Sequence, residues 1–375
     1  MKKIIIFVLF TYLFIPKVYA EDLLENARSG ILIEASTGEI LYEKNKDERV
    51  AVASLTKMMV QTLVLEKIED GSIKWDDVVE TSSNASGMGG TQIWLATGEK
   101  MTVSDLFKGM SVVSANDATV ALCEYIAQDE KSCVNLMNEK AKELGLKNTV
   151  FKNCTGLDEK GHFSSAYDLS IIARNLLKHE DILKYSSIYE DYIRKDTPNK
   201  YWIVNTNKLL RFYEGTDGLK TGFTDDALYT IAATSKRNNM RLIAIVLGEK
   251  ESKVRNKETM ELLDYGFLNY KVDLLKKRGE VVDYLNIDKA DKEMVPIVLE
   301  NDLSILNKKA VNSINYQYDI KINDVSLPIK KNSKVGVISL IYNDRVIKSV
   351  DLVVSQDISK INYFKYLFNN IMSIF

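Results

Sequence analysis

The chain has 375 residues, with 50 Lys and Arg against 52 Asp and Glu, a formal net charge of −2 and 46% hydrophobic residues. That balance offers no basic surface to a nucleic acid, and the length suffices for a full core and two domains. The two histidines, with no His-x-x-x-His or Cys-x-x-Cys spacing, leave a catalytic zinc without ligands, so no metal and no cofactor is expected.

The N-terminus reads as a targeting segment. Lys2 and Lys3 supply positive charge, residues 4–15 are almost wholly apolar, and Val18-Tyr19-Ala20 presents small or branched residues at a cleavage position. A membrane span needs about 20 apolar residues, so residues 1–20 are expected to be a signal peptide, with a retained anchor as the alternative. Either way the rest of the chain is placed outside the cytoplasm. Cleavage removes Lys2, Lys3 and Lys17 and no acid, taking the net charge from −2 to −5.

Residues 30–34 and 39–43 are strand-like runs flanking Ser36-Thr37-Gly38, a hairpin signal. A helix is expected from about Ser54 to Ile68, then mainly helix and loop over 70–170. Ser86-Gly-Met-Gly-Gly-Thr lacks the Gly-Lys-Ser/Thr ending of a phosphate loop and reads as a turn. Helical apolar spacing from Thr102 to Tyr125 is interrupted near Ser114. Cys123, inside it, reads as a small buried hydrophobe. Cys133 and Cys154 complete an odd count that traces no disulfide framework. Residues 229–234 and 241–247 form a second hairpin, and 253–270 an amphipathic helix able to pack on a sheet. From Glu280 to Val354, short β-branched runs separated by turns such as Asn343-Asp344 predict a small antiparallel domain. In the last stretch Ile361, Phe364, Leu367, Phe368, Ile371 and Phe375 share one helical face and Asn362, Lys365, Asn369 and Ser373 another. That is too short to span and suits a helix lying along a membrane surface. Docking on its own domain is the alternative.

Three motifs carry the chemistry. Ser54-Leu55-Thr56-Lys57 holds the one Ser-x-x-Lys of the chain, and Lys220-Thr221-Gly222 the one Lys-Thr-Gly; Ser114-Ala115-Asn116 lies between them. A serine hydroxyl needs a base, and a lysine three residues on along a helix shares its face. Burial, or a second cation such as Lys220, would lower the Lys57 pKa and free its lone pair. The apolar flanks of this motif argue against a surface site. Ser114 can relay a proton and Asn116 can orient Lys57 and a substrate amide. Gly222 on an edge strand would admit an extended peptide, with Lys220 and Thr221 offered to its carboxylate. Arg255, one turn into the following helix, could reach the same carboxylate.

These motifs and their neighbours resemble the low-molecular-mass penicillin-binding proteins, specifically the D-alanyl-D-alanine carboxypeptidases, over most of the chain after residue 20. The matching stretches are 51–59, 109–118 (with Ala115 where many members have Gly), 218–224, and Phe151-Lys-Asn-Cys-Thr-Gly-Leu-Asp with Gly161-His-Phe-Ser-Ser-Ala-Tyr-Asp-Leu. Cys154-Thr155 replaces a Pro-His often found there. The resemblance implies an α/β (α+β) fold: a β-lactamase/transpeptidase-like catalytic domain over 21–275, with an antiparallel sheet, helices on both faces and a helical subdomain. A β-rich domain over 279–355 and a membrane-anchoring helix over 357–375 follow. It implies Ser54 as nucleophile, Lys57 as base, Ser114 and Asn116 as relay and positioning groups, and Lys220, Thr221 and Arg255 at the substrate carboxylate. The N–H groups of Ser54 and Phe223 would form the oxyanion hole. The substrate would be the peptidoglycan stem peptide, losing its last D-alanine at the outer face of the cytoplasmic membrane, and β-lactams would be covalent inhibitors. A serine β-lactamase of related fold would need a carboxylate after the second motif, and no clear candidate stands there. A non-catalytic wall-binding protein need not keep Ser54, Lys57 and Lys220.

Overall fold

The structure, a computed structural model, describes residues 22–361 apart from 293 and 311–314. The signal segment (1–20) and residues 362–375 lie outside the described residues; residues 357–361, expected to begin the C-terminal helix, are instead extended, with Ile358 and Lys360 bridged to Ile329 and Ala290 of the β-rich part. Among the described residues no helix is long and apolar enough to cross a membrane.

The two hairpins combine into one five-stranded antiparallel sheet, in the order Ile40–Lys44, Ser29–Glu34, Met240–Glu249, Leu228–Arg237, Thr216–Thr224. Alternation along the strands buries both faces. Leu32, Leu242, Ala244 and Val246 meet Leu262, Leu263 and Phe267 of the helix Ser252–Asn269. Ile31, Ile33, Ile243, Ile245 and Leu247 face the larger core, where the helices Lys57–Glu69 and Ala166–Leu176 lie. Residues 57 to 65 of the first helix are all buried, so it has no polar face and runs through the centre of the molecule. Thr216–Thr224, which carries Lys220-Thr221-Gly222, is the edge strand.

The interruption near Ser114 is a turn between the helices Val103–Val112 and Asn116–Ala127. Thr102 starts the first of them, its hydroxyl accepting from Asp105 N–H at 3.1 Å. Cys123 is not a free buried hydrophobe. It forms a disulfide with Cys133, at a Cα–Cα separation of 5.4 Å, and ties Asn116–Ala127 to the helix Glu130–Glu143. A separation of 10 residues hides this pairing, because the bond requires the chain to fold back helix on helix. Cys154 is free and buried.

Strands with few apolar residues escape the sequence pattern. Tyr270–Lys276, whose Lys271 and Asp273 interrupt its hydrophobic run, pairs with Leu303–Lys308 in a two-stranded ribbon leading away from the central sheet. Gln317–Ile322 is an exposed edge strand. It closes a second five-stranded sheet, in the order Val281–Leu285, Val295–Leu299, Arg345–Val354, Lys334–Tyr342, Gln317–Ile322. This sheet has its own core, including Val295, Ile297, Leu299, Ile338, Leu340 and Leu352. The ribbon touches the central part, with Ser36 Oγ 3.2 Å from Ser304 Oγ.

Leu352 is fully buried in that second core. Leu352→Ala is expected to remove about 2–5 kcal/mol of local stability. Amide exchange should accelerate in Lys334–Tyr342 and Arg345–Val354 while the central sheet keeps its native protection.

Candidate active site

Ser54 stands in a single 3₁₀ turn, Ala53–Thr56, that runs into the helix beginning at Lys57. Ala53, just before it, takes φ +48°, a strained conformation for a residue with a Cβ. Two glycines let the surroundings close on this turn. A Cβ on Gly156 (φ +83°) would lie 1.9 Å from Ala53 O, and one on Gly222 would lie 2.9 Å from Ser54 N. Gly222 therefore brings the edge strand against the nucleophile's own backbone, a tighter constraint than admission of a peptide.

Lys57 Nζ lies 2.9 Å from Ser54 Oγ, 2.7 Å from Asn116 Oδ1 and 2.6 Å from the Thr155 carbonyl. Its side chain is wholly buried, and that burial pushes its pKa down to about 7. All three partners are neutral. Burial, and not the Lys220 charge suggested by the sequence, is what lowers this amine. The repulsion is instead felt by Lys220, which is held well below the usual lysine range first by burial and then by the charges of Lys57 and Arg255.

Asn116 is fixed from three sides. Its Nδ2 donates to Gly89 O at 2.7 Å and its N–H to Thr91 O at 2.7 Å. The neighbouring Asp117 carboxylate, fully buried, accepts from the N–H groups of Ile93 (3.1 Å), Leu95 (3.0 Å) and Ala118 (2.8 Å). An anion in the first turn of Asn116–Ala127 also suits the helix dipole. Ser114 sits in the left-handed region at φ +68°, its hydroxyl buried and without a hydrogen-bond partner among the described residues. A buried hydroxyl left free calls for an explanation.

On the edge strand, Lys220 Nζ donates to Thr221 O at 2.8 Å, and Thr221 Oγ1 to Thr206 Oγ1 at 2.7 Å. Phe223 exposes its ring, which stacks on Tyr229 at 4.5 Å, so any part it plays in an oxyanion hole belongs to its backbone. Arg255 is buried rather than solvated. Its guanidinium donates to Thr230 O at 3.3 Å and Asn256 Oδ1 at 2.8 Å, and burial lowers its pKa to about 10. It bears on Lys220 through its charge.

The structure thus sets Ser54 against Lys57 and Gly222, and Lys57 against Asn116. It adds groups the sequence did not mark. Thr155 contributes only its carbonyl and Gly89, in the segment read as a plain turn, likewise; a backbone group leaves no trace in residue type. His162 could have been noticed, being one of two histidines. Its Nε2 meets Thr56 Oγ1 at 2.8 Å, and Lys152 N–H donates to Nδ1 at 3.3 Å. That arrangement assigns the hydrogen to Nε2 and leaves the ring neutral. Burial agrees, pushing the imidazole down to about 4.

The family model described as D-alanyl-D-alanine carboxypeptidase matches residues 18–251, and that of the penicillin-binding protein 5 C-terminal domain matches 270–360. The chain belongs to the D-alanyl-D-alanine carboxypeptidase family. It is 42% identical to the carboxypeptidase DacF of Bacillus subtilis, over 94% of this chain and 93% of that one. The fold is similar to penicillin-binding protein 5 of Haemophilus influenzae, with a TM-score of 0.71, 31% identity and coverage of 89% of this chain and 98% of that one. It is also similar to the ampicillin-bound penicillin-binding protein D2 of Listeria monocytogenes, at a TM-score of 0.58 and 32% identity, over 64% of this chain and 97% of that one.

The buried neutral His162 has a consequence for stability. Between about pH 6.5 and 4 the unfolded chain binds a proton that the folded one refuses, so stability falls as pH falls through this window. The full effect is about 3 kcal/mol. His162→Gln keeps an N–H for Thr56 and removes the titration. Thermal melts across pH 4–7 should show a shallower decline for this variant than for the native protein.

Proposed function

We propose that this protein is a serine D-Ala-D-Ala carboxypeptidase that removes the terminal D-alanine of peptidoglycan pentapeptides through an acyl-enzyme on Ser54. The observation that carries the reading is the buried Lys57 amine, 2.9 Å from Ser54 Oγ and held by neutral acceptors alone. An amine with a pKa near 7 is substantially unprotonated outside the cell and can take the serine proton. Ser54 Oγ then attacks the penultimate D-alanine carbonyl. The N–H groups of Ser54 and Phe223 receive the oxyanion, where the dipole of the nucleophile helix adds to them. The proton returns to the departing D-alanine amine by way of Ser114. Asn116 orients Lys57 and the substrate amide. Lys220 and Thr221 bind the terminal carboxylate, with Arg255 reinforcing the positive field. Water releases the shortened peptide. The edge strand Thr216–Thr224 suits this substrate, because an extended peptide can pair with its free side while the carboxylate reaches Lys220. β-Lactams acylate Ser54 because their strained amide enters the same site.

The chain is proposed to divide into a signal peptide (1–20), a catalytic domain (21–275), a β-rich domain (279–355, joined by 357–361, which bridge to it) and an amphipathic helix in the residues after 361. The helix would hold the enzyme at the outer face of the cytoplasmic membrane, toward the wall.

Purified mature protein incubated with penicillin should gain one covalent adduct by intact mass, absent in Ser54→Ala; an adduct persisting in that variant would refute the assignment. The acylation rate should rise with pH to a plateau, with its midpoint near 7, as Lys57 loses its proton. Lys57→Ala should lower it by about 10²-fold or more, and near-native acylation with an unchanged melt would exclude Lys57 as base.

Truncation after Ile361, which spares Ile358 in the β-rich core, should release the protein from lipid vesicles in a sedimentation assay and leave turnover of a soluble D-Ala-D-Ala peptide unchanged. Each buried Phe, Leu or Ile at the membrane surface contributes roughly 1.5–3 kcal/mol. Equal vesicle binding by the full-length and shortened chains would favour a helix docked on the β-rich domain.

A further inference from the structure

The Lys57 amine has one acceptor that no side chain provides, the Thr155 carbonyl at 2.6 Å. The peptide that carries this carbonyl is held directly by Asn153, whose Oδ1 accepts from Gly156 N–H at 2.8 Å, and the chain leading into it is held one residue back. Cys154 points both of its donors at one oxygen of Glu130: its N–H at 3.3 Å and its Sγ at 3.4 Å from Oε1. Glu130 is in the first turn of the helix Glu130–Glu143. The Cys123–Cys133 disulfide fastens that helix to Asn116–Ala127, whose first residue supplies Lys57 with its other fixed acceptor. Both fixed acceptors of the amine are therefore referenced to one cross-linked helix pair.

We propose that Glu130 is a positioning residue for Lys57, acting through Cys154 and Thr155 to hold the carbonyl that orients the amine toward Ser54. The inference rests on Lys57 being the base. Glu130 also bears on the thiol. Burial first, and then the Glu130 charge, hold Cys154 well above the usual thiol range, so it stays a neutral donor and places no anion beside the amine. The other titratable group acting between these elements is Lys220 of the edge strand, whose charge and that of Lys57 repel. It makes no hydrogen bond to the Cys154–Thr155 segment among the described residues.

The test is the pH profile of Ser54 acylation by penicillin in the full-length mature protein. Glu130→Ala frees Cys154 and loosens Thr155. The plateau rate should fall by up to about tenfold, the upper range for one lost neutral hydrogen bond. The midpoint should move to lower pH, because a carbonyl favours the ammonium over the amine. Glu130→Gln keeps an oxygen for both Cys154 donors and should stay within about twofold of the native plateau, with the midpoint in place. If Glu130→Ala does not fold, Glu130→Asp, which withdraws the carboxylate by one methylene, should show the same two changes in smaller measure. A native profile in Glu130→Ala, or in Glu130→Asp where that variant stands in, would overturn the proposal. So would a lowered plateau with an unmoved midpoint, which is the mark of a purely structural loss. So would a Glu130→Gln variant as impaired as Glu130→Ala, which would assign the effect to charge. The native protein separates this inference from its premise: no rise with a midpoint near pH 7, or normal acylation by Lys57→Ala, defeats Lys57 as base, whereas an intact native profile that Glu130 does not influence defeats only Glu130.

Discussion

An ammonium group with no exposed surface is costly, by several kcal/mol even after the surroundings relax. At Lys57 the protein provides three hydrogen-bond acceptors and no counter-charge. The choice decides the chemistry. A carboxylate among the three would have stabilised the cation and kept the lysine inert as a base. A hydroxyl, an amide and a carbonyl satisfy the donors yet leave the desolvation uncompensated, and the amine gives up its proton near neutrality. Much of the catalytic half of the molecule follows from holding those three oxygens in place: the strained turn at Ala53, the closeness of Gly156, the anchoring of Asn116 by Gly89 and Thr91, and the hold on Thr155.

The same accounting extends to Lys220 and Arg255. Among the described residues neither is engaged by a carboxylate hydrogen bond; their donors go to Thr221 O, Thr230 O and Asn256 Oδ1. Three basic side chains are thus buried near one another, and at Lys220 their mutual repulsion is explicit. Such a cluster destabilises the empty protein and favours any anion that enters. A substrate ending in a free carboxylate relieves it; an internal stretch of peptide does not. On the proposed reading, selection of a chain terminus would in this way be stored as folding strain, the usual exchange of stability for function at a binding site.

How much of this was legible in the sequence depends on whether a feature is written in side chains or in backbone. Ser54-x-x-Lys57 and Lys220-Thr221-Gly222 are written in side chains, and the helix and strand under them follow from apolar spacing. The central sheet was legible as two hairpins because apolar runs flank the polar turns at Ser36-Thr37-Gly38 and Lys236-Arg237-Asn238-Asn239. Their joining through Ser29–Glu34 and Met240–Glu249 was not, since pairing over 200 residues apart has no local signal. Tyr270–Lys276 and Gln317–Ile322 were missed because half-exposed edge and ribbon strands carry Lys and Asp where a buried strand would carry Val. Cys123 was misread for the opposite reason. Its apolar helical setting is real, and only the fold-back that delivers Cys133 reveals a bond.

An open sheet edge is ordinarily a liability, inviting other chains to pair with its unused N–H and C=O groups. Here the edge strand Thr216–Thr224 is protected by what it faces. Gly222 lies against the backbone of Ser54, and Thr221 is held by Thr206, whose own N–H donates to Val112 O near the end of the helix preceding Ser114. A strand pairing along this edge therefore comes up against the turn at Ala53–Thr56. The contact that shields this edge from other strands is the one that holds it beside Ser54, so protection of the edge and the placing of Lys220-Thr221-Gly222 are one constraint.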